Sequence, residues 1–141
     1  MNKKLCIVVN GILLLWFFLD MTGFSFGDQM LVSQAWKDDG LFFLIYAAAF
    51  TWFITKESVG KYVLLIWLFS WLAAQFYFHW FFTIAGPWEG NIQYFSDTIK
   101  LFESSTVYIV DLYHIVLHLL ILLALICTLA YCLKRSKNTS E

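Results

Sequence analysis

Residues 106–133 read TVYIVDLYHIVLHLLILLALICTLAYCL, an apolar run of membrane-spanning length interrupted in its first half by Asp111, His114 and His118. On a helix turning about 100° per residue these three side chains fall within an arc of roughly 60°, so one face presents a carboxylate and two imidazoles. Ionisable groups at membrane depth are costly, turn towards a bundle interior or a wet cavity, and mark a functional site by default.

The rest of the chain agrees with a membrane setting. Of 141 residues, 61% are hydrophobic and 13% charged, more apolar surface than a soluble domain of this length buries. The expected fold is all-α: a polytopic membrane protein built as a four-transmembrane-helix bundle, with one or two short interfacial helices in its outer connections. At roughly 20 residues per span the predicted crossings are 5–24, 40–58, 62–85 and 106–133, forming one membrane domain with no room for a soluble one. Nucleic-acid binding has no support, since the net charge is −1. Cys6, Cys127 and Cys132 form no C-x-x-C pair and read as structural thiols.

The first run follows Lys3 and Lys4 and lacks a pair of small residues of the A-x-A kind after Asp20, so it is expected to remain as an uncleaved span. Asn10 and Gly11 within it suggest close helix packing. Residues 20–40 are too apolar for open solvent and are predicted to lie in the interface, with Trp36 at headgroup level. Their acids Asp28, Asp38 and Asp39 suit either a divalent cation or plain solvation, and Asp39 is placed to cap the next helix.

The second span is short unless Lys56 snorkels, and its small residues Ala47, Ala48, Thr51 and Thr55 mark the expected packing face. Residues 56–61 form a tight basic turn. In the third span Gln75, His79 and Thr83 recur every fourth residue, a second polar stripe. Trp67, Trp71 and Trp80 read as interfacial or lipid-facing packing. Gly86 and Pro87 end that helix. Ile92, Phe95, Ile99 and Phe102 then alternate with Gln93, Asp97, Lys100 and Glu103 at helical spacing, predicting an amphipathic surface helix that covers the bundle end.

Lys3, Lys4, Lys56, Lys61, Lys134, Arg135 and Lys137 gather on one side and Lys37 and Lys100 on the other. The expectation is a cell-membrane protein with both termini cytoplasmic, leaving the Asn138-Thr139-Ser140 sequon on the unglycosylated side.

In this topology His79, Asp111 and His114 meet at one depth below the outer surface, with His118 deeper. Three readings follow. His79, Asp111, His114 and His118 have the donor types for a transition metal such as zinc, which would support hydrolysis. Alternatively His79 with His114 or His118 would ligate haem b axially for electron transfer. In the second reading the groups satisfy one another with Gln75, Thr83 and Tyr108, and the protein is a non-catalytic partner of another membrane protein or of its own copies. The third is a proton or ion path. The lipid bilayer is the partner common to all three.

Overall fold

Four long apolar runs become four helices: α1 (Lys3–Thr22), α2 (Trp36–Thr55), α3 (Glu57–Ala85) and, after a six-residue α4 (Glu89–Tyr94), the long α5 (Leu112–Lys137). The computed structural model describes residues 2–137, so the sequon lies outside the described residues. All four long helices have the length and hydropathy needed to cross a membrane. They form an up-and-down ring in which α1 packs on α2, α2 on α3, α3 on α5 and α5 on α1.

Each helix contributes a stripe at helical spacing. Cys6, Val9, Leu13 and Phe17 come from α1, Tyr46, Ala49, Phe50 and Phe53 from α2, Leu64, Leu68 and Trp71 from α3, and Tyr113, Leu117, Ile121 and Ala124 from α5. Large apolar side chains also cover the outside, among them Leu15, Leu44, Ile66, Phe69 and Leu119.

One polar pin crosses the apolar middle. The Tyr46 hydroxyl donates to the backbone and side-chain oxygens of Asn10 at 2.9 and 3.0 Å, and Asn10 Nδ2 donates to the Cys6 carbonyl at 2.9 Å and towards Thr128 Oγ1 at 3.5 Å. Asn10, not Gly11, is therefore the packing residue of α1: a side chain at Gly11 would meet nothing within 4 Å. The three cysteines are buried and free, as structural thiols should be.

The face of α2 is also corrected. Ala48, Thr51 and Thr55 point outwards, while Tyr46, Phe50 and Phe53 turn in, because the ring is filled by large side chains and leaves little for a small-residue seam. Trp71 is core rather than anchor, its ring 4.6 Å from Phe17 and 5.3 Å from Tyr46. The predicted basic turn shrinks to a single residue, Lys56, and Lys61 lies inside α3 with its ammonium over the Tyr62 ring. Lys3 pairs with Glu57 at 3.3 Å and Tyr131 bonds the same carboxylate, closing this end of the bundle.

The other end carries the two long connections, and here the differences from expectation are largest. Residues 20–40 contain a β-hairpin, β1 (Phe24–Phe26) with β2 (Gln29–Val32), joined by Gly27 and Asp28. Gly27 at φ 58° with Asp28 following fits a two-residue turn that wants glycine first. The predicted amphipathic helix is only α4. Beyond it Ile99 N–H donates to the Met30 carbonyl and Leu112 N–H to the Ile99 carbonyl, at 3.0 and 2.8 Å. These bonds favour extended backbone over helix, so Phe95 and Ile99 turn inwards while Phe102 stays 75% exposed. The fourth long helix accordingly starts at Leu112 rather than near Thr106.

Gly60 fixes the close crossing of α2 and α3. A Cβ there would stand 2.5 Å from the Trp52 carbonyl carbon and oxygen and the Phe53 nitrogen, all backbone atoms that cannot swing aside. Gly60→Ala should destabilise the folded bundle by about 1–3 kcal/mol, the usual cost of overpacking, read as a lowered thermal midpoint in detergent. Gly11→Ala, into open space, should leave the midpoint unchanged or raise it slightly through helix propensity.

Candidate functional site

Asp111 is the residue on which the site is built. It is fully buried and sits just ahead of α5, where its Oδ1 accepts the backbone N–H of His114 at 2.9 Å, an N-cap bond that satisfies one of the orphan donors of the first turn. Its carbonyl accepts from Ile115 N–H, the first helical bond. The same carboxylate also holds the His114 imidazole, with Nδ1 at 2.9 Å from Oδ1 and 2.8 Å from Oδ2. Facing a carboxylate, Nδ1 carries a proton and donates, which leaves Nε2 as the free nitrogen of the neutral ring.

His79 comes from the opposite helix. Residues Phe76–Phe81 of α3 form a π-helical turn, a widened turn often found where a helix must present a functional side chain. The wider turn breaks the expected stripe. Gln75 Oε1 meets His118 Nε2 at 3.0 Å, His79 Nδ1 meets the Tyr108 hydroxyl at 2.7 Å, and Thr83 bonds the His79 backbone carbonyl at 3.0 Å. Thr83 thus supports the π-turn and does not reach the cluster.

Tyr108 lies in the connection before α5, and burial, reinforced by the nearby Asp111, pushes its phenol well above the usual range. The hydroxyl therefore keeps its proton, and where it donates to His79 Nδ1 the imidazole carries its own proton on Nε2. The His79 and His114 rings stack with centroids 4.1 Å apart. Neither Nε2 has a protein hydrogen-bond partner among the described residues.

His118 is a second layer. Trp80 Nε1 donates to its Nδ1 at 2.8 Å, so its proton is on Nε2 and goes to Gln75. With both nitrogens engaged it has none left for a ligand, which corrects its expected place in a metal or haem set. For the haem b reading, the His79 ring stands 4.1 Å from that of His114 and 5.3 Å from that of His118, closer than two axial ligands on either side of a macrocycle. The zinc set of His79, Asp111, His114 and His118 does not assemble either. Among the described residues no three His, Cys, Asp or Glu side chains are grouped to hold a metal ion, because Asp111 is turned onto His114.

His79, His114 and Asp111 line a cavity of 490 Å³ together with Asp20, Asp38, Asp39, Gln75 and Tyr94. Asp20 lies in the last turn of α1 and Asp39 in the first turn of α2, and both line the cavity. Asp39 is turned into the cavity rather than capping its helix. Asp28 stays apart in the hairpin turn, so the three acids of the first connection do not act together.

Phe95 roofs the cluster, its ring 5.7 Å from His79, 5.3 Å from His114 and 5.5 Å from Tyr108. Trp16 and Tyr113 brace the same end, stacked at 5.5 Å and each bonded to the other's backbone carbonyl. Comparison with protein-family models, curated proteins and solved structures finds no match.

The residues that sequence reasoning missed are Asp20, Tyr94, Phe95 and Trp80. Asp20 had one available signal: an acid in the last turn of an otherwise apolar helix.

The Tyr108 hydroxyl yields a direct test. Because its folded-state pKa is raised, the folded chain keeps a proton that the unfolded chain releases, so this residue's contribution to stability is full below about pH 10 and falls above it. Phenolate absorbance at 295 nm should have the same amplitude in wild type and Tyr108→Phe between about pH 8 and 11. Tyr108→Phe should also cost about 1–3 kcal/mol at neutral pH, by leaving His79 Nδ1 without its donor.

Proposed function

We propose that the protein is a multi-pass enzyme of the cell membrane that uses the His114–Asp111 pair as a general base on a small polar group of an amphiphile, with hydrolysis as the reaction class. The bidentate approach of Asp111 to His114 Nδ1, with Nε2 left free at the wall of a sizeable cavity, carries this reading. A carboxylate behind an imidazole fixes its tautomer and stabilises the imidazolium that forms when the ring takes a proton.

His79 complements it. Its Nε2–H is a donor one ring-stacking distance away, suited to an oxygen on which charge develops while His114 withdraws a proton from water. In this scheme the proton of the attacking water goes to His114 Nε2 and is then given to the leaving group.

The membrane setting rests on the four apolar helices and their apolar exteriors. Lys3, Lys4, Lys56, Lys61 and Lys134 lie at the end opposite the hairpin, so the termini face the cytoplasm and the cavity opens outwards.

The test uses full-length protein in lipid nanodiscs with fluorogenic carboxylic and phosphoric ester amphiphiles. His114→Gln and Asp111→Asn should each lower turnover by about 10²–10⁴-fold, the range for general acid–base groups. Nitrogen-15 histidine spectra should show His114 protonated on Nδ1 in wild type and a tautomer mixture in Asp111→Asn. Full turnover in His114→Gln would overturn the assignment.

A further inference from the structure

The wall facing the imidazoles has a composition that the proton-transfer scheme leaves unused. Asp20, Asp38 and Asp39 lie there, and no Lys or Arg lines the cavity among the described residues. Asp20 is 3% exposed, and the charged side chain that acts on it most strongly is that of Asp39. Two adjacent carboxyl groups of this kind carry negative charge that no Lys or Arg in the cavity offsets. Asp38 adds a second charge at the more exposed side. Its field, secondary to partial burial, raises the Tyr94 phenol, so the mouth of the cavity is electronegative too.

A buried charge without a counter-ion costs several kcal/mol unless something neutralises it. The missing charge must come from what enters. Phe42 of α2, with Phe78 and Phe82 of α3, lines the same cavity, and Phe78 does so while 58% exposed, so the cavity has an apolar edge besides its acids. Acceptors at depth beside an apolar edge suit a compact charged group attached to an alkyl chain.

We propose that the cavity binds a primary ammonium group, held by the Asp20–Asp39 pair with its apolar substituent along Phe42, Phe78 and Phe82. Three N–H donors match the carboxylate oxygens of this pair, which a quaternary ammonium cannot satisfy. The inference rests on the cavity being a substrate site and names its substrate class. It places the amine opposite the imidazoles, so that a bond a few atoms away falls next to His114 Nε2. A primary ammonium reaches the site from an ethanolamine-type lipid headgroup or as a free alkylamine.

Full-length protein in nanodiscs of equal parts phosphatidylethanolamine, phosphatidylcholine and phosphatidylglycerol, released into native mass spectrometry, separates the cases. Phosphatidylethanolamine should be retained at least about tenfold over the other two in wild type, and Asp39→Asn should abolish the preference. Asp28→Asn, a change in the hairpin turn outside the cavity, should preserve it. In phosphatidylcholine-only nanodiscs, hexylamine titrated against tryptophan fluorescence reads the free-amine arm. Saturable binding there, lost in Asp39→Asn, supports the same site with a soluble source.

Equal retention of the three lipids together with no hexylamine binding would overturn the proposal. So would preferential retention of phosphatidylcholine, or a preference unchanged in Asp39→Asn. His114→Gln should retain the amine preference while losing turnover. Amine binding with full turnover in His114→Gln would overturn the acid–base assignment alone, and lost turnover without amine binding would overturn the substrate class alone.

Discussion

A single carboxylate does two things at one place in this chain. Asp111 accepts the His114 backbone N–H, which begins α5, and the His114 imidazole, which begins the site. Both bonds are made where water is excluded, so neither is weakened by solvent competition, and the helix cannot start elsewhere without losing the orientation of the ring. The position of Asp111 is in turn set by backbone: Met30 holds Ile99, and Ile99 holds Leu112. The hairpin in the first connection thereby determines where the last helix begins, and with it the tautomer of a histidine.

The helices were legible because long apolar runs leave few alternatives. Their ends were not, because ends are decided by single capping bonds that compete on nearly equal terms with another turn of helix. Residues 106–111 are apolar enough to continue α5 upwards, and the bond from Leu112 N–H to Ile99 and the capping bond from Asp111 show that they do not. Residues 24–32 have the alternation and the Gly-Asp turn of a hairpin, but three- and four-residue strands are too brief to outweigh a reading as interfacial segment. The Gln75, His79, Thr83 stripe was real as spacing and misleading as geometry. A π-turn changes the angle per residue exactly where the stripe depends on it, and nothing in the run FYFHWF announces one.

The same limit explains which half of the cavity could be anticipated. His79, Asp111 and His114 stand out as isolated polar residues in apolar surroundings, so their meeting followed from topology alone. Asp20 and Asp39 sit near helix ends, where acids are common and usually solvated. Asp20 is buried where Ala35 N–H bonds its carbonyl at 2.8 Å, drawing the end of α1 and the start of α2 together. Sequence patterns report which face of a helix is polar. They do not report that two helix ends have been brought under one roof.

The layering of the three imidazoles argues for chemistry confined to that end of the bundle. His114 and His79 keep a free nitrogen, whereas His118 has given both of its own to Trp80 and Gln75. Beneath it α5 presents Leu117, Ile121 and Ala124 to the core, and the next polar group on the buried side is Thr128, shared with Asn10. From His118 to Thr128 is nearly three helical turns, about 15 Å, too far for one hydrogen bond to relay a proton to the next. A pump or channel needs polar groups continuing through that gap. A site that exchanges protons with a substrate needs them only at its wall, and there they are.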